Sequence, residues 1–81
     1  MDKLIELRDQ YYSVWTVPLA KIQWFDHAAE RNRADLLAIA DGDTDRLRIH
    51  ILDTCNFTDI TSEESGEVLG RVNIADMNEP F

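Results

Sequence analysis

Arg46-Leu47-Arg48-Ile49-His50-Ile51-Leu52 alternates apolar and polar residues. Successive side chains of an extended strand point to opposite faces, so Leu47, Ile49 and Ile51 face a core while Arg46, Arg48 and His50 face water. Such a half-apolar strand needs neighbours in a sheet and a layer to cover it. Val68, Gly70, Val72 and Ile74 supply a second alternating run, Asn56 to Thr61 a strand between the two, and Ser62 to Gly66 a polar turn. A short helix capped by Thr61, with Glu64 three residues on, is the alternative there, opposed by Gly66 and Gly70.

The first forty residues read as helical. Leu4, Leu7, Tyr11 and Val14 recur at spacings of three and four, which predicts a helix from about residue 2 to 15. Thr16-Val17-Pro18 interrupts it, because a residue before proline is pushed away from helical angles while proline suits the first turn of a new helix. Ile22, Phe25, Ala29, Leu36 and Ile39 keep helical spacing up to a stop at Asp41-Gly42, and the polar stretch Glu30-Arg31-Asn32-Arg33 is a place for a break. A hairpin from Leu36 to Ile51 around Asp41-Gly42 competes with this reading. The expected class is α+β: two N-terminal helices packed on a small antiparallel β-sheet formed by the C-terminal half. The helical part covers about 2–40, the β part about 46–75, and a short flexible tail 76–81.

The 81 residues are enough for one domain with a small core. The longest apolar run, Leu36 to Ala40, is five residues against the roughly 20 that a bilayer needs. Met1 to Asp9 mixes charged and apolar residues, so neither a signal peptide nor a lipid anchor is expected, and Cys55 alone suits a reducing compartment. The expected location is the cytoplasm, that of the host if the protein is viral. Charge is the dominant compositional fact: the formal net charge is −8, with six acids against five bases in residues 1–40 and ten against three in residues 41–81. Direct binding to a nucleic-acid backbone is therefore disfavoured.

No motif asks for catalysis, a cofactor or a metal. Asp41-Gly42-Asp43-Thr44-Asp45 matches the start of a calcium loop, but the sixth position is Arg46 where glycine is needed and the twelfth is Leu52 where a bidentate glutamate is needed. In an extended segment the same acids recur every 6.5 to 7 Å or so, comparable to phosphates along a strand. His50 and Cys55 are the one nucleophile–base pair on offer, and no third group orients them. His27, His50 and Cys55 lack zinc-site spacing. Tyr11, Tyr12, Trp15, Trp24 and Phe25 cluster in the expected helices, where two faces cannot bury them all, so Tyr12, Trp15 and Trp24 are candidates for a protein interface.

The last residues, Ile74 to Phe81, resemble at their tip the acidic tail of bacterial single-stranded-DNA-binding proteins, which ends in acids followed by proline and phenylalanine. The resemblance covers Asp76, Glu79, Pro80 and Phe81, with the acidic run interrupted by Met77 and Asn78. It implies that Phe81 and its terminal carboxylate are read by a basic pocket on a partner.

The expected function is that of a small acidic, non-enzymatic inhibitor or regulator. It would occupy the basic surface of a nucleic-acid-handling protein by charge mimicry, through Asp41, Asp43, Asp45, Asp59, Glu63, Glu64 and Glu67. Size and charge alone liken it to phage or mobile-element inhibitors of restriction, CRISPR or polymerase machinery. The alternative is a structural or regulatory subunit, such as an assembly factor, an immunity protein or a homodimer, that binds through its aromatic helices.

Overall fold

A computed structural model of the chain describes residues 3–51 and 56–78. The helix expected over residues 2–15 is instead a β-hairpin: strand β1, Leu4–Asp9, pairs antiparallel with strand β2, Val14–Pro18, with Ile5 opposite Val17 and Leu7 opposite Trp15. Ile5, Leu7 and Asp9 are buried while Leu4, Glu6 and Arg8 are exposed, which is a period of two. Three of the four residues that gave the helical spacing, Leu4, Tyr11 and Val14, lie in water. The β-branched and aromatic run from Val14 to Val17 favours a strand. The turn between the strands carries no glycine or asparagine to announce it. Tyr12 takes the left-handed conformation there, with φ 66°.

The second expected helix exists only from Asp26 onward. Pro18 closes β2, Leu19–Lys21 form one 3₁₀ turn, and Gln23–Trp24 form a short strand, β3. Helix α1, Asp26–Arg31, and helix α2, Arg33–Ala40, then follow with a break at Asn32, inside the polar stretch that allowed one. The Asn32 side chain holds the junction. Its Nδ2 donates to Ala28 O at 2.8 Å and to Glu67 Oε1 at 2.7 Å, and its Oδ1 accepts from the Ser65 hydroxyl at 2.9 Å. Helix α2 stops at Asp41-Gly42, where Gly42 has φ 88°, so the competing hairpin from Leu36 to Ile51 does not form.

Strands β4, Leu47–Ile51, β5, Phe57–Ser62, and β6, Val68–Asn73, occupy the three expected runs, and a turn replaces the alternative helix after Thr61. The sheet they join is neither antiparallel throughout nor confined to the C-terminal half. It is a six-stranded mixed half-barrel in the order β2-β1-β4-β5-β6-β3, with β1 parallel to β4 through Arg8 opposite Arg48 and Asp9 opposite Ile49. Gln10 prolongs that parallel seam with its side chain, accepting from Ile51 N–H at 3.0 Å and donating to Ile51 O at 2.8 Å. Two short helices on a six-stranded sheet replace two long helices on a small one.

Connectivity forces the sheet to curl. Its two edge strands, β2 and β3, are consecutive in the chain, and the stretch from Pro18 to Gln23 reaches at most about 17 Å. In a flat six-stranded sheet the edges would lie about 24 Å apart. At the β3 edge, Gly70 on β6 is required by close approach, since a Cβ there would lie 2.6 Å from Gln23 O. Asn78 crosses to β2, exchanging backbone bonds with Thr16, and brings Met77 into the core. Met77 and Asn78, in the first half of the tail expected over 76–81, are thus docked on the fold; Glu79 to Phe81 lie outside the described residues. The core gathers Ile5, Leu7, Val17, Leu47, Ile49, Ile60, Leu69 and Val72 from the sheet with Ala28 and Ile39 from the helices. Each fully buried Leu, Ile or Val contributes about 1.5–3 kcal/mol.

Candidate protein-binding surfaces

The acids singled out in the sequence divide into two groups. Glu63, Glu64 and Glu67, in and after the β5–β6 turn, are each held by an arginine: Arg48 Nε lies 2.7 Å from Glu63, Arg46 Nη2 2.7 Å from Glu64, and Arg31 Nη2 2.5 Å from Glu67. The Arg31 hydrogen bond, seconded by Asn32, holds the Glu67 carboxyl below its usual range, and the same contact raises Arg31. These acids clamp the turn to α1 and β4. Asp45 is likewise paired, with Arg8 at 3.0 Å, although both side chains stand well out in water. Asp59 is half-buried on β5, registered opposite His50 on one side and Arg71 on the other.

Asp41 and Asp43 differ from these. Both are exposed, and among the described residues neither forms an ion pair. They follow the C-terminal end of α2, whose last turn has no basic residue. The dipole of a helix makes that end negative, so acids there add to the field instead of cancelling it. The loop is ordered by its own bonds: Asp43 N–H donates to Ala38 O at 2.8 Å, and the Asp43 carboxylate accepts from Asp45 N–H at 3.1 Å. Glu6 on β1 lines the recesses that Gly42, Thr44 and Asp45 form against that strand, so it joins the same negative patch. Lys3 and Arg8 are its basic neighbours.

The aromatic candidates are not on helices, which corrects the expected helical interface. Tyr12, with Tyr11, stands exposed at the tip of the β1–β2 hairpin, its ring 5.0 Å from the Arg48 guanidinium. Below the tip, Gln10, Arg48, His50, Thr61 and Glu63 line an open recess of about 360 Å³ on the uncovered face of the sheet. Trp15 packs against the core and donates its Nε1–H to Asp9. Trp24 lines an apolar groove of about 220 Å³ with Leu19, Leu36, Ile39 and Ala40. Asp76 is exposed in a 3₁₀ turn after β6, while Cys55, Glu79, Pro80 and Phe81 lie outside the described residues.

The sequence reading missed the partners that decide which acids stay free. Arg8 meets Asp45 across 37 residues and Arg31 meets Glu67 across 36, separations that leave no local pattern. The groove had a faint signal, because Leu36 and Leu37 are adjacent in α2 and cannot both face inward. Among the described residues no group of three or more His, Cys, Asp or Glu side chains is placed to hold a metal ion, and no helix is long and apolar enough to cross a membrane.

No family model matches the chain, and neither a curated protein nor a solved structure does.

Proposed function

We propose that the protein is a non-enzymatic, cytoplasmic inhibitor or regulator that binds a nucleic-acid-handling protein by presenting carboxylates to its basic surface, in the manner of phage and mobile-element inhibitors. The observation that supports it most is the negative end of α2, where Asp41 and Asp43 are exposed, unpaired among the described residues and held in a bonded loop beside Glu6. A preformed array of this kind loses little freedom on binding and steers a basic partner from a distance. The patch is narrower than the seven acids suggested by sequence, since Glu63, Glu64 and Glu67 are occupied within the fold.

The test is affinity capture with an N-terminal tag, followed by binding of the recovered partner to charge-reversal variants. Asp41→Lys with Asp43→Lys should weaken the complex at least tenfold, Glu64→Gln should leave it within about twofold, and raising salt from 50 to 500 mM should dissociate it. Affinity that ignores salt and survives the double reversal would remove charge mimicry as the mechanism. A structural or regulatory subunit, or a homodimer, is the second reading, supported by the exposed pair Tyr11 and Tyr12. There Tyr12→Ala, and not the charge reversal, should abolish association.

A further inference from the structure

The recess below the β1–β2 hairpin tip carries an inference independent of the acidic patch. Its volume of about 360 Å³ lies within the roughly 300–1,000 Å³ of small-molecule sites. Arg48 and His50, two residues apart on β4, stand on one face of the sheet, with Thr61 registered opposite Arg48. The hairpin adds Gln10 and Tyr12, and the β5–β6 turn adds Glu63. Bonds within the fold already hold these parts: the Gln10 amide is tied at both ends to Ile51, and Glu63 N–H donates to Arg46 O at 2.8 Å. A site fixed in advance loses little freedom when it takes up a ligand.

The polar groups left unspent say what that ligand carries. Gln10 is used up by Ile51, the Thr61 hydroxyl donates to Arg48 O at 3.3 Å, and the Ser62 hydroxyl accepts from Ser65 N–H at 3.3 Å. Arg48 Nη1 differs from these: it is closed off from water and, among the described residues, has no hydrogen-bond partner. Native folds rarely leave such a donor unmatched. Beside it, Arg48 Nε pairs with Glu63 Oε1 at 2.7 Å, which leaves the second carboxylate oxygen, Oε2, as an acceptor. A free donor and a free acceptor thus stand side by side, joined by an ion pair. Tyr12 supplies a flat cover. Its ring centroid lies 5.0 Å from the guanidinium carbon, wider than the roughly 3.5–4.0 Å of atoms in contact, so the ring has room to close on a planar group paired with Arg48. Its left-handed backbone, with φ 66°, is a strained conformation of the kind that clusters at ligand clamps. Charge argues against an ion as the occupant: Arg48 is matched by Glu63 and His50 is registered opposite Asp59, so the recess offers no surplus of either sign in a protein of net charge −8.

We propose that the recess binds an uncharged planar heterocycle with a lactam edge, as in the bases of inosine and uridine. The ring carbonyl accepts from Arg48 Nη1, the adjacent ring N–H donates to Glu63 Oε2, and Tyr12 covers the flat face. The paired hydrogen bonds, each to a charged group, fix the orientation, and stacking on an aromatic ring adds affinity that tolerates either ring size.

Titration of inosine and of uridine into isotope-labelled protein, followed through its amide signals, tests it. At least one should move Arg48, His50, Thr61 and Glu63 saturably, with a Kd at or below about 1 mM. Methylation of the ring N–H, which keeps the carbonyl and the flat face, should weaken that binding at least tenfold. Tyr12→Gly, which suits the left-handed backbone, and Glu63→Ala should each do the same while the rest of the amide spectrum stays that of the folded protein. The monophosphates should bind no more tightly than the nucleosides. Absence of a saturable shift with both nucleosides, shifts elsewhere on the molecule, or equal binding of the methylated analogue would each overturn the proposal. So would full affinity in either variant. Tighter binding of the monophosphates, or inorganic phosphate moving the same signals, would assign the recess to an anion and equally overturn it.

Discussion

Asp9 is a carboxylate that the fold buries on purpose. Only 4% of it is exposed, and burial, the largest single influence on its ionisation, raises its pKa. The Trp15 indole and the backbone N–H groups of Ser13 and Tyr11 outweigh that together and hold the group below its ordinary value near 3.8. They lie at 2.9, 3.0 and 2.8 Å, the lengths of charge-assisted bonds. A depressed folded-state pKa adds stability that is complete above the unfolded value and is lost as pH falls through the folded one. Asp9→Asn keeps the shape and removes the charge, so it should cost about 2 kcal/mol at pH 7. Urea unfolding of both proteins between pH 7 and pH 2 checks this. The gap should hold above about pH 5 and narrow below the ordinary carboxyl value; a gap independent of pH would show that charge has no part in holding the turn. Tyr12 sits in the same turn, and its left-handed backbone is offset by its ring on Arg48.

At the scale of elements, β3 lies close against β6 at Gly70. An added Cβ at Gly70 meets Gln23 O at 2.6 Å and Trp24 Cα at 3.1 Å, both backbone atoms that cannot swing away. Gly70→Ala should therefore displace β3 and destabilise the fold by about 2 kcal/mol or more. The loss is measurable as a lower urea midpoint, together with changed amide signals at Gln23 and Trp24. A variant as stable as the parent would mean that β3 is not held where the structure has it. The same strand shows what a linear reading can find. Residues 47–51 and 57–62 alternate because one face of each meets the core. In 68–73 the expected alternation of Val68, Gly70 and Val72 is broken by Leu69, which is fully buried beside the buried Gly70 where the register of β5 on β6 shifts. Strand β3 has two residues, too few for any period, and β1 carries an extra leucine, Leu4, on its wet face that completes a false helical stripe. Helix α2 was found with its stop, since Asp41-Gly42 signals its end locally. Asp41 and Asp43 could be read as exposed acids from sequence. That Glu63, Glu64 and Glu67 are neutralised could not, because their arginines come from elements brought together only by the fold.

Over the whole molecule the same pairing leaves an imbalance that salt should reveal. Among the described residues Glu6, Asp9, Asp26, Glu30, Asp41, Asp43, Asp59 and Asp76 make no ion pair, against Lys3, Lys21, Arg33 and Arg71. The principal extents are 30 × 29 × 20 Å, so at about 10 mM salt, where screening reaches roughly 30 Å, every charge feels every other. At about 150 mM the reach is roughly 8 Å, which spares the close pairs and removes the long-range repulsion. Exposed pairs contribute about 0–1 kcal/mol each, so repulsion among the surplus acids is the larger salt-sensitive effect. Stability in urea should rise between these two salt concentrations. Asp41→Asn with Asp43→Asn should raise the low-salt midpoint and flatten the response, because it relieves charge at the negative end of α2. A midpoint that falls with salt would mean that the ion pairs outweigh the repulsion. A rise abolished by the double variant would locate the strain in the loop proposed to meet a basic partner, and it ties the two properties together: the charge that binding would neutralise is the charge that the free fold tolerates at a loss of stability.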